Sequence, residues 1–406
     1  MSNRHTTIQL VLVGIAQGLS LVTSLFLARM YGAEVFGEYS TSIAWVSLCQ
    51  GLVLARADQL VLVERDTVVA RAIYRRFLWF GALVALLGCG GIAVGSLGVE
   101  GGFADWLWHA SWVLLVSTVV AVNSLSCAVE VNAGNYLRVS RYRLLQSALF
   151  PILILVVPWF PVPLRILFAY MCSYLVPTLL MLVGRTVPLL RSAEIARLDG
   201  ARLLRFGAIY MVNSTAVAAV SVAFSVIHSQ ELFGNIALAL RICLVPVGFS
   251  NAVFSPILLS SFLHSSRLGR RDDFSLALKG TNAKLMVVSI VTAAFMLSSR
   301  WWFGYLYPGE QWGLAPICLA ILAPLTIVQM CVSPKSDLLF VVGRERAILQ
   351  FDVLRVVLSM LIALALILLD GRSLTILVAY MSLSVALFLW LARSVSGVTG
   401  SPASAA

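Results

Sequence analysis

Three cations stand where hydrocarbon belongs. Arg241, Lys335 and Arg355 interrupt long apolar runs, and a charge at the centre of a spanning helix costs roughly 2.5–3.5 kcal/mol on insertion scales. Such a residue must pair with a carboxylate, face water, or hold an anion. Asp352 lies three residues before Arg355, a spacing that lets the two meet on one helix face, so an ion pair is the plain reading there. Asp337 follows Lys335 at i+2. Arg241 has no acidic residue within four positions. Its partner must come from another helix (Asp337 and Asp352 are available), from water, or from an anionic ligand. Arg29 and Arg56 stand at the ends of apolar runs and either join the same chemistry or snorkel to the interface.

Hydroxyls and amides make a second pattern. Gln17, Ser20 and Ser24 fall on one face of a helix, and Ser214, Ser221, Ser225 and His228 fall on one face of another. At an offset of 197 residues Gln17 matches Ser214 and Ser24 matches Ser221. Two equivalent helices thus carry equivalent polar stripes. They border an aqueous cavity or bond to neighbouring helices, a common use of small polar residues in membranes.

Other chemistries are absent from the pattern. No Gly-rich phosphate loop ending in Lys-Ser/Thr occurs, which argues against ATP use by this chain. The seven cysteines lie in apolar runs without C-x-x-C spacing, and the four histidines are scattered, so neither a zinc site nor a disulfide framework is expected. No cofactor is expected. The one adjacent carboxylate pair, Asp272-Asp273, sits among basic residues and reads as a solvated cluster.

What must position these residues is membrane helix. The 406-residue chain is 60% hydrophobic and 12% charged, with a mean hydropathy of +0.95. Half the charge of an ordinary soluble domain cannot cover a soluble surface. Apolar runs long enough to span a bilayer lie near 8–30, 36–55, 77–98, 106–128, 144–160, 164–184, 206–228, 233–262, 284–302, 314–342, 348–369 and 373–393. The first is too long for a cleavable signal and is read as a retained span. The net charge of +11 belongs to short connections rather than to a nucleic-acid surface. With the N-terminus inside, twenty-two Lys and Arg fall on cytoplasmic segments and four (Arg29, Arg165, Arg300, Arg372) on the opposite side. That asymmetry predicts a multi-pass protein with both termini cytoplasmic.

The long connection at 185–205 divides the spans six and six. Glu34-Val35-Phe36-Gly37 recurs as Glu231-Leu232-Phe233-Gly234, and Gly51 meets Gly248 at the same offset. Because six spans intervene, both copies run in the same sense, as in a parallel repeat. The expected organisation is an all-α protein of about twelve transmembrane helices. It comprises an N-terminal six-helix lobe (1–195), a C-terminal six-helix lobe (196–393) and a disordered cytoplasmic tail (394–406) of small polar residues. Gly14-x-x-x-Gly18 and Gly91-x-x-x-Gly95 would let helices approach closely.

The stretch Leu27-Ala28-Arg29-Met30-Tyr31-Gly32-Ala33-Glu34-Val35-Phe36-Gly37-Glu38-Tyr39-Ser40 resembles the element that joins the first two spans of bacterial polysaccharide flippases. These form the oligosaccharide/O-antigen branch of the multidrug/oligosaccharidyl-lipid/polysaccharide exporter superfamily. Glu231-Leu232-Phe233-Gly234 followed by Pro246 resembles the family's connection between spans seven and eight. In layout the resemblance covers the whole chain; in sequence it rests mainly on residues 27–51. It implies two helical bundles around a central cavity. It also implies export of an undecaprenyl-pyrophosphate-linked glycan from the inner to the outer leaflet of the bacterial cytoplasmic membrane by alternating access. Arg29, Arg241, Lys335 and Arg355 then become candidates for the family's cationic cavity, with Gln17, Ser24, Ser214 and Ser221 as polar lining. The partners implied are the lipid-linked oligosaccharide, membrane lipids, and a polysaccharide polymerase with its chain-length proteins.

Two other classes compete. A drug/cation antiporter of the same superfamily would favour carboxylates in its cavity, where this chain places arginine. A membrane glycan polymerase or acyltransferase would need a long outer loop or an intramembrane histidine with a partner. His109 and His228 lie near outer span ends without one.

Overall fold

The computed structural model describes residues 3–53, 57–63, 67–96, 102–156, 162–183, 211–268 with short gaps before 229, 271–307, 310–342, 344–369 and 373–400. These residues are helical almost throughout. The helices are α1 (Asn3–Val53), α2 (Ala57–Val63), α3 (Thr67–Ser96), α4 (Gly102–Asn132), α5 (Tyr136–Val156) and α6 (Val162–Val183). They continue as α7 (Gln230–Leu268), α8 (Arg271–Leu297), α9 (Ser299–Leu306), α10 (Ala315–Val341), α11 (Glu345–Leu368) and α12 (Ser373–Gly400). Ten segments among them are long and apolar enough to cross a bilayer. One of these, Val11–Val53, holds the first two expected spans. Gly32, at φ 81° and ψ 174°, breaks the helix between them. A positive φ of this kind is open to glycine and strained for other residues. The expected seventh span (206–228) is described in pieces from residue 211 onward, and the 185–205 connection lies outside the described residues. The chain is a polytopic α-helical membrane protein.

Helix ends depart from expectation where polar residues keep helical geometry. Arg71, Arg75 and Arg76 belong to α3, and Arg138, Arg141 and Arg143 to α5, so these basic groups extend helices rather than loops. The last helix continues past Arg393, where the disordered tail was expected to begin, to Gly400. Ser394 and Ser396 donate their hydroxyls to the carbonyls of Trp390 and Arg393, which satisfies them within the helix. Residues 401–406 lie outside the description.

The chain forms two compact units, one of residues 1–19 and 39–222, the other of residues 20–38 and 223–406. In the first, α4 is central: it packs on α2, α3, α5 and α6. Val46 in the second half of α1 packs with Val116 and Val120 of α4 and with Leu167 and Met171 of α6. Ser117 of α4 donates to the Val46 carbonyl at 3.2 Å. In the second unit α10 holds the same place, packing on α7, α8, α11 and α12. α4 and α10 carry the fourth and tenth expected spans, and three neighbours of each correspond: α3 to α8, α5 to α11 and α6 to α12. The internal repeat is therefore visible in packing as well as in residues.

Gly18 and Gly91, one glycine from each Gly-x-x-x-Gly pattern, stand in different surroundings. A Cβ at Gly91 would collide with the Ser111 hydroxyl of α4, whereas one at Gly18 would meet nothing within 4 Å. At the α4–α5 corner Gly134 takes φ 80°. There Glu130, buried in α4, is gripped by Arg138 at 3.2 Å and by the Asn135 amide at 2.8 Å. This carboxylate, unremarkable in sequence, is a corner brace between consecutive spans.

Candidate functional site

The two copies of the Glu-x-Phe-Gly element are built alike. Glu34 and Glu231 are exposed, while Phe36, Gly37, Phe233 and Gly234 are buried. In the second unit they grip each other. A Cβ on Gly37 would collide with the Gln230 carbonyl and lie 3.2 Å from the Gly234 nitrogen; a Cβ on Gly234 would collide with the Ala33 carbonyl. Glycine is required at both positions because backbone meets backbone.

Around this crossing stands an aromatic column. Phe36 meets Trp312 edge-on at 6.0 Å, Trp312 lies 5.4 Å from Tyr307, and Tyr307 stacks on Phe303 at 4.6 Å. The Tyr307 phenol donates to the Leu25 carbonyl at 2.8 Å. Burial pushes this phenol well above the ordinary tyrosine range, and the positive charge of Arg29 pulls it the other way. Asn235 binds the same corner: its amide donates to the carbonyls of Glu231 and Gln311, and its oxygen accepts from the Ala315 N–H at 2.9 Å.

The cations divide between two environments. Arg241, half-buried on α7, places its guanidinium 6.0 Å from the centre of the Phe36 ring, the outer limit of a cation–π contact. Arg29 is exposed at the end of the first span, near enough for its charge to act on the Tyr307 phenol. Arg355 of α11 stands elsewhere, 5.5 Å from Phe351 and 5.6 Å from Phe388 of α12, with its guanidinium 4.0 Å from the Asp352 carboxylate. The i−3 pairing is thus present, and Asp352 is fully buried. Lys335 is half-buried on α10 beside Pro334. The side chain of Asp337 lies outside the description.

The polar stripes are less developed. Ser24 is buried and returns its hydroxyl to the Ser20 carbonyl at 3.0 Å, a bond within its own helix. Gln17 and Ser221 are half-buried in the first unit. Ser214 and the side chain of His228 fall outside the described residues. Sequence reasoning passed over Ser250 and Asn251 on α7. The Ser250 hydroxyl and the Asn251 carbonyl oxygen are buried without a hydrogen-bond partner among the described residues. Deep in a span, such groups have capacity to bind a polar ligand. Among the described residues no three of His, Cys, Asp and Glu converge as metal ligands.

No family model and no curated protein matches the sequence. The fold, by contrast, matches solved structures over nearly the full chain. One is the outward-facing conformation of a multidrug resistance MATE family transporter of the MOP superfamily, with a TM-score of 0.63 at 15% identity, covering 98% of this chain and 96% of that one. Its inward-facing counterpart matches with a TM-score of 0.61 at 16% identity and the same coverage. A MOP superfamily transporter from Pyrococcus furiosus, described as having a reversed polarity of its binding pocket, matches with a TM-score of 0.58 at 14% identity, again over 98% of this chain and 96% of that one. The chain has the fold of these transporters.

Proposed function

We propose that this protein carries an anionic lipid-linked glycan, of the undecaprenyl-pyrophosphate type, across the bacterial cytoplasmic membrane by alternating access, with both termini cytoplasmic. It is a carrier rather than an enzyme, and a polysaccharide polymerase with chain-length proteins would take up its product. One observation carries the reading: Phe36, from the flippase-like element, lies against Arg241, a cation inside a spanning helix. The element that names the resemblance and the best anion-binding candidate therefore belong to one construction. A pyrophosphate cannot enter hydrocarbon unpaired, and a guanidinium offers it two parallel hydrogen bonds. The unsatisfied oxygens of Ser250 and Asn251 on the same helix suit a hydroxylated cargo.

A second reading, a cation-coupled drug antiporter, draws on the multidrug transporters that share the fold. It would require carboxylates open to cationic drugs. Glu130 and Asp352, buried acids within spanning helices, each stand beside an arginine.

The test is replacement of Arg241 in cells that depend on this protein for surface glycan. Arg241→Lys keeps the charge but loses bidentate geometry, and should lower surface glycan partially. Arg241→Ala should abolish it at unchanged protein level. Normal glycan in Arg241→Ala, or drug sensitivity that tracks loss of the protein while glycan does not, would overturn the proposal.

A further inference from the structure

The basic residues at helix ends are not all held by the protein. Arg138 of α5 grips Glu130. Arg71, Arg75 and Arg76 of α3 have no carboxylate partner among the described residues. Over residues 56–76 five arginines stand against three acids, Asp58, Glu64 and Asp66. Arg71 and Arg76 are exposed and Arg75 is half-buried. Positive charge is thus left over at this end of α3, the end that the charge asymmetry assigns to the cytoplasm.

Below the arginines, on the same face, the helix is apolar and bare. Trp79 is 78% exposed and stands one turn on from Arg75 and Arg76, at i+4 and i+3. Leu83, Leu86 and Leu87 continue that face, each more than half exposed. The opposite face is committed to the first unit's core: Ala70, Ile73 and Tyr74 pack with Ala121, Leu125 and Ala128 of α4. Of the ten spanning segments this is the least buried. On a spanning helix such a stripe meets acyl chains, and a lipid seated there brings its headgroup level with the arginines. We propose that α3 carries a binding site for an anionic phospholipid. Arg75 and Arg76 hold its phosphate, Trp79 sits at the depth of its glycerol, and Leu83, Leu86 and Leu87 lie along its chains.

The order along the helix is the depth order of a lipid: charge, amphipathic ring, hydrocarbon. Guanidinium groups meet phosphate oxygens in paired hydrogen bonds. A zwitterionic headgroup brings a cation of its own, which the arginines repel; an anionic one does not. Arginines that only set topology, or that snorkel to water, need no bare aromatic beneath them. The start of α5 is of that plainer kind. There the exposed Arg141 and Arg143 stand one turn above Leu145, which is half-buried, and Ser147, which is polar. The α3 site would serve whatever cargo the carrier takes.

The test uses the full chain, purified in detergent and titrated with single lipids, with bound lipid counted by native mass spectrometry. Phosphatidylglycerol should bind at least about tenfold more tightly than phosphatidylcholine. Arg75→Gln with Arg76→Gln should weaken phosphatidylglycerol by at least about tenfold and leave phosphatidylcholine unchanged. Arg141→Gln with Arg143→Gln should weaken neither. Glycerophosphoglycerol, the same headgroup without chains, should not displace the lipid at equal concentration, which separates a lipid site from a phosphate site. Should the glutamine pair fail to insert, Arg75→Lys with Arg76→Lys keeps the charge that topology needs. That pair should still weaken phosphatidylglycerol by about threefold, through loss of the paired hydrogen bonds. Equal binding of the two lipids, unchanged affinity in whichever α3 variant inserts, equal weakening by the α3 and α5 pairs, or displacement by the chainless headgroup would each overturn the inference.

Discussion

At the scale of single residues, the four candidate cations are not equivalent. Arg355 has a nearby carboxylate and two flanking rings, so it is first a structural residue. Removing Asp352 alone leaves a cation inside the membrane without that carboxylate, and breaking a buried pair is costly. Asp352→Ala should therefore lower the thermal midpoint of the purified protein by several degrees, and adding Arg355→Ala should restore part of the loss. A double-mutant cycle in detergent measures this coupling; additive losses would show that the pair is not structural. Arg241 differs in that its ring contact comes from Phe36, about two hundred residues away in sequence. The Asp352–Arg355 pair was legible because helical periodicity alone brings i and i−3 together. The Arg241–Phe36 contact was not, because no local rule joins residues that only tertiary packing brings close. Glu130 escaped notice for a related reason. Its partners Arg138 and Asn135 lie across a turn whose geometry depends on Gly134.

Elements show the same division between what pattern fixes and what packing decides. Hydropathy located the described spans, and the Gly32 bend falls between the first two expected runs. The repeat was legible as Glu-x-Phe-Gly twice over, but not that the two copies would lie on each other. Sequence marks a glycine without saying what approaches it. This yields a paired prediction. Gly18→Ala should be neutral or stabilising by up to about 1 kcal/mol, since a methyl there meets nothing and alanine favours helix. Gly91→Ala should destabilise by about 1–3 kcal/mol, because the Ser111 hydroxyl occupies the space. Thermal midpoints of the two variants in one detergent check it, and equal midpoints would contradict the packing of α3 on α4.

At the scale of the whole molecule a membrane carrier is what we propose, and its orientation follows from charge. Twenty-two basic residues against four should place positions 70, 195 and 270 inside and positions 100, 231 and 310 outside. Reporter fusions at those positions would read the reverse if the orientation were inverted. The central claim is about cargo, and it is open to a direct measurement. The purified protein would be reconstituted into vesicles that carry an undecaprenyl-pyrophosphate-linked oligosaccharide in both leaflets. An impermeant glycosidase added outside then digests only the sugar it can reach. Without protein, or with Arg241→Ala, digestion should stop at the outer-leaflet pool; with the unaltered protein the inner pool should follow until the substrate is consumed. Digestion that halts at the outer pool with the unaltered protein, in vesicles where the same preparation moves a cationic dye against an ion gradient, would contradict the account and establish the drug antiporter in its place.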